Sequence, residues 1–122
     1  MMYPPIFAVC SSNPGVQAAL GSSPCRVFMF GHAPQGTTKP YAVWQLIGGS
    51  PENYLATRPD ADNWSLQIDV YATTGELARS AAQSIRDAIE PVSYVIGWRG
   101  ESRDTETKNY RVSFDVDWIT NR

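Results

Sequence analysis

The sequence predicts an α+β fold: a mostly antiparallel sheet of four to five strands with two helical elements packed on one face. Three observations carry this. From Trp64 to Tyr71 the chain alternates at a period of two, with Trp64, Leu66, Ile68 and Val70 on one side and Ser65, Gln67 and Asp69 on the other. Tyr110 to Trp118 repeats the pattern, setting Tyr110, Val112, Phe114, Val116 and Trp118 against Arg111, Ser113, Asp115 and Asp117. Between them Leu77, Ala78, Ala81, Ile85, Ala88 and Ile89 recur at the helical period. Strands with one apolar and one polar face are the antiparallel habit.

The remaining elements follow in order. The segment up to Leu20 reads as helix in one or two pieces: Pro4 and Pro5 can open it, and Ile6, Phe7, Val9 and Cys10 form a stripe. Asn13 is a good N-cap and Pro14 a good first residue for a second piece, which Gly21 closes. Arg26 to Phe30 is a short β-prone run. Gly31 to Pro40, with its glycines and prolines, is irregular, and Tyr41 to Ile47 is the next strand. Gly48 to Asn63 reads as a long loop, of the kind that is functional or mobile. Thr73 and Glu76 have capping-box spacing before the long helix, which ends ahead of Pro91. Val92 to Trp98 and Tyr110 to Trp118 are the closing strands, joined by the polar stretch Arg99 to Asn109, an extended, solvated hairpin loop.

At 122 residues and 13.5 kDa the chain is expected to form a single domain, residues 1–122. With 43% hydrophobic and 18% charged residues it is too apolar for disorder. Its net charge of -2 and pI of about 5.2 argue against a general nucleic-acid binder or a membrane-surface protein. No apolar run approaches a membrane span, and Met1 to Pro5 lack the features of a signal peptide, so a soluble cytoplasmic location is expected. Cys10 and Cys25 are too few for a disulfide framework; two reduced, partly buried thiols are the expectation.

Chemistry is scarce. His32 with Cys25 is the one pair from which a nucleophile and base could be built, and nothing supplies an orienting third group. One histidine and two cysteines cannot fill a structural zinc site. Asp115 and Asp117, about 7 Å apart along one strand face, read as the wet side of that strand rather than as a metal or acid–base pair. Gly48, Gly49, Gly97 and Gly100 form no phosphate cradle. The expectation is therefore no catalytic residue, no cofactor and no metal. The four Trp and six Tyr are assigned to packing rather than base stacking.

Three segments resemble, in order, the tail-completion or tail-terminator proteins of long-tailed bacteriophages. Ala33-Pro34-Gln35 followed by Lys39 to Gln45 is similar to that family's "APQ…PYVVYQ" stretch. Leu66 to Thr73, with the helix opening Glu76-Leu77-Ala78, resembles its "VQIDCYA" strand and following helix. Asp104 to Asp115 is similar to its closing acidic loop and "YRVSLDF" strand. Order, spacing and total length together make the likeness specific.

The resemblance implies a non-enzymatic virion protein, assembled in the host bacterial cytoplasm as a hexameric ring on the finished tail tube. Such a ring stops tube growth and offers the surface on which the head's connector docks. The implied partners are other copies of the chain, the tube protein and the connector, with no specific nucleic acid and no membrane. Two alternatives stand beside it: another head–tail neck component, and a small pocket-bearing α+β enzyme using Cys25 and His32. The candidate interface residues lie in the two long polar segments: Arg58 and Asp60 in the first, and Arg99, Glu101, Arg103, Asp104, Glu106 and Lys108 in the second.

Overall fold

The computed structural model describes residues 3–51 and 61–121. Helices α1 (Ile6–Ser11), α2 (Pro14–Leu20) and α3 (Gly75–Ile89) cover one face of a sheet of β1 (Val27–Met29), β2 (Tyr41–Pro51), β3 (Ala61–Ala72), β4 (Tyr94–Arg103) and β5 (Tyr110–Asn121). The strand order is β1-β2-β3-β5-β4. All pairings are antiparallel except β1 with β2, so the sheet is mixed but mostly antiparallel. The predicted α+β class holds, with three helices because the N-terminal helical segment breaks into two.

Local chemistry explains the helix ends. Asn13 accepts hydrogen bonds from the backbone N–H groups of Gly15 (2.9 Å) and Val16 (3.2 Å), and Pro14 supplies the first-turn φ. Gly21 closes α2 at φ +88°, where a Cβ would come within 2.6 Å of the Arg26 guanidinium. The cap of α3 differs from the predicted Thr73–Glu76 box: Thr74 accepts the Leu77 N–H at 3.2 Å. Thr73 and Thr74 are adjacent hydroxyls, and which one caps depends on where β3 releases the chain.

Strands β2, β3, β4 and β5 all run past their predicted bounds. β2 continues to Pro51 and β3 begins at Ala61, so both ends of the expected Gly48–Asn63 loop are paired strand, while its residues 52–60 lie outside the described residues. A bulge between Leu46 and Gly48 breaks the alternation that would have announced it. Gly49 is pressed there against β3, where a Cβ would lie 2.6 Å from the Asn63 carbonyl oxygen. On the other side of the sheet, β4 starts at Tyr94 and extends through Arg103.

The core lies between the helices and the inner face of the sheet. In register across β2, β3, β5 and β4 run Ala42–Val70–Val112–Glu101 and Trp44–Ile68–Phe114–Trp98. Leu66, Ile68, Val70, Phe114 and Val116 are essentially sealed. Each such side chain contributes about 1.5–3 kcal/mol by leaving water. Ala78, Ala81 and Ala82 are buried on α3, and their small size lets the helix lie close against β3 and β5. Trp98 packs on Phe114 with ring centroids 5.1 Å apart, and the Arg86 guanidinium of α3 lies over the Trp98 ring, 5.8 Å from its centre.

The outer face is less wet than predicted. Asp69 and Ser113 are buried there, Asp115 and Asp117 half-buried. These short side chains sit on the central strands β3 and β5, shielded by neighbours on both sides. Gln67 donates to both Asp69 oxygens at 3.2 Å, Ser65 donates to Asp117 at 3.0 Å, and Arg99 meets Asp115 at 2.6 Å.

Candidate assembly surfaces

The β4–β5 hairpin gathers most of the expected interface residues, though differently from the predicted loop. Arg99, Glu101 and Arg103 are strand residues; only Asp104, Glu106 and Lys108 lie in the turn. Two register shifts, between Val95 and Gly97 and between Trp98 and Gly100, interrupt the alternation and hide the strand from a period-two reading. Arg58 and Asp60 lie outside the described residues.

The faces separate these charges. Glu101 and Arg103 face the helices with Val112 and Tyr110, whereas Arg99 turns to the outer face and pairs with Asp115. Glu101 is bound bidentately by Arg79 of α3, and Arg103 lies 5.2 Å from the centre of the Tyr110 ring. The Arg79 guanidinium holds the Glu101 carboxyl below its ordinary range, chiefly by hydrogen bonding, and Glu101 in turn raises Arg79. Between α3 and the hairpin runs an open cleft of about 660 Å³, lined by Thr74, Glu76, Arg79, Glu101, Arg103 and Tyr110 among others.

The hairpin tip is an ordered turn rather than an extended loop. Asp104 accepts from the amides of Glu106 (2.8 Å) and Thr107 (3.2 Å), which hold its carboxyl below the ordinary carboxylate pKa, Glu106 first and Thr107 second. Lys108 N–H closes on the Asp104 carbonyl at 2.8 Å with Lys108 itself at φ +59°. Every side chain from Arg99 through Lys108 is exposed. Sequence reasoning missed Arg79, Tyr110 and Thr74 as the walls of this cleft. Arg79 was recognisable only as a polar-face residue of the helix.

On the outer face, Phe28, Tyr41 and Tyr71 form an aromatic row across β1, β2 and β3, with centroids 6.4 and 5.1 Å apart. His32 is exposed in the turn after β1, its backbone N–H donating to the Met29 carbonyl. Cys25 is buried, and burial pushes its thiol up despite the opposing Arg26 charge and Val27 amide. Burial raises Cys10 to about 12. A nucleophilic cysteine carries the reverse shift. Among the described residues no group of three or more His, Cys, Asp or Glu could hold a metal, and no helix is long and apolar enough to cross a membrane.

The sequence model of a family described as "Tail completion protein gp17" matches residues 4–121. Among solved structures, the fold is similar to a chain of the virion of a native gene transfer agent particle. The TM-score is 0.68 at 12% identity, covering 96% of this chain and 92% of that one. No curated protein matches the sequence.

Proposed function

Because the chain belongs to the tail completion protein gp17 family, it is a structural component of a phage tail, and we propose that it forms a hexameric ring that caps the finished tube. The ring stops further tube growth and presents the docking surface for the head–tail connector. It assembles in the cytoplasm of the host and is carried in the virion. The observation that carries this reading is the family match across residues 4–121. The open sheet supports it: β1 and β4 are edge strands, available to neighbouring copies as a ring requires. No catalytic step belongs to the reading; complementarity of surfaces does the work.

Native mass spectrometry of the purified chain, with and without tail tubes, tests the proposal. A hexamer that appears with rising concentration or on addition of tube is expected, with added density at one tube end in negative stain. A monomer at high concentration in the presence of tube overturns the ring. A ring that binds the head's connector and ignores the tube end assigns the protein elsewhere in the neck.

A further inference from the structure

We propose that neighbouring copies in the ring meet edge to edge, Tyr94 and Ile96 on β4 of one copy packing on Met29 and Phe30 at the β1 edge of the next. The inference rests on the ring reading above and specifies its interface. Both edges of the sheet expose large apolar side chains: Tyr94 is 69% and Ile96 55% exposed on one, and Met29 is 36% and Phe30 59% exposed on the other. An edge strand normally defends itself with charges directed outward. Here the β4 charges are turned onto their own molecule, Arg99 to Asp115, Glu101 to Arg79 and Arg103 to Tyr110. No charged residue occurs from Pro91 to Trp98 or from Val27 to Thr38.

The charge distribution selects the occupant and the sense of packing. Residues 1–51 have a net charge of +2, from Arg26 and Lys39 with no carboxylate, whereas residues 52–122 hold all 12 carboxylates and the other eight Lys and Arg, a net charge of -4. A β4 edge meeting a second β4 edge would bring two net-negative halves together. A β4 edge meeting a β1 edge sets the net-negative half against the net-positive one. That contact is heterologous, and repeated by a rotation it closes a ring. The register shift at Ile96 interrupts the β4 ladder, so the contact is made by side chains more than by a continued row of backbone bonds.

The test uses Ile96→Lys and Phe30→Lys, each at an exposed position, with folding checked by circular dichroism. Each variant alone is expected to stay monomeric by native mass spectrometry where the wild type is a ring. Mixed in equal amounts, the two are expected to form a one-to-one dimer and nothing larger, because one intact edge of each kind remains. A wild-type ring with both variants assembling normally overturns the edge contact and leaves the ring reading standing. A wild type that never assembles, with or without tube, overturns the ring reading first. A mixture that stays monomeric, or a Phe30→Lys chain that dimerises alone, also overturns the edge contact. A second measurement avoids disruption: the Phe30→Cys/Ile96→Cys chain, whose native thiols are buried, should give a ladder of covalent oligomers with a short bismaleimide. Monomers alone would count against the contact.

Discussion

Arg79 on α3 holds Glu101 on β4 with both arms of its guanidinium fork, Nε 2.5 Å from Oε2 and Nη2 2.7 Å from Oε1, across 22 residues of chain. The pair ties the long helix to the edge strand at the mouth of the cleft. Glu101 is depressed below the ordinary carboxylate value of 4.5. The stabilisation it gives is therefore complete above that value and lost as pH falls through the lower, folded-state one. Urea unfolding of Glu101→Gln should show a small deficit at neutral pH that closes in acid below 4.5. Both groups are exposed, so molar salt should narrow the deficit as well. A deficit constant with pH would deny the pair its role.

The α3 cap separates two adjacent threonines. Thr74→Ala removes the acceptor for the Leu77 N–H and should cost about 1 kcal/mol. Thr73→Ala should change stability by less than about 0.5 kcal/mol. Thermal melts of the two variants give the comparison, and equal losses would place the cap incorrectly.

Phe114 is fully buried at the centre of the sheet and supports Trp98. Phe114→Ala should cost about 3–5 kcal/mol, and tryptophan emission should shift red as Trp98 loses its partner. A loss below about 1 kcal/mol would mean that the core collapses around the vacancy.

The thiols should be silent. With both pushed above the ordinary value of 9.0, Cys10 and Cys25 should react with iodoacetamide at pH 8 far more slowly in the native protein than in denaturant. Cys25 is buried, so alanine is a cleaner replacement than serine, which would bury a hydroxyl. Cys25→Ala with His32→Asn should fold and complete tails in a complementation assay. A folded double variant without infectious particles would reopen a chemical role.

At the hairpin tip, Arg103→Ala with Asp104→Ala removes the cover over Tyr110 and the acceptor for two amides. The fold should survive, amide exchange at Glu106 and Thr107 should quicken, and tail capping should weaken. Capping at wild-type level in both low and raised salt would exclude the tip from the interface.

Periodicity alone determined the α+β class, the inner faces of β3 and β5 and the apolar stripe of α3. A residue's side on a strand or helix is set by its spacing from its neighbours, and Trp64 to Tyr71 needs nothing distant to declare it. The broken N-terminal helix was legible for the same reason, since Asn13 and Pro14 act within one turn. Tertiary structure decided the rest. β4 reaches Arg103 because β5 supplies a ladder for it, and its two bulges erase the alternation that would otherwise have shown the strand. Thr74 rather than Thr73 caps α3 because β3 sets where the chain leaves the sheet. Arg79 meets Glu101, and Asp69 and Ser113 are shielded on a face that reads as polar, because strands remote in sequence lie side by side. Contacts of that kind leave no local periodic trace in the sequence.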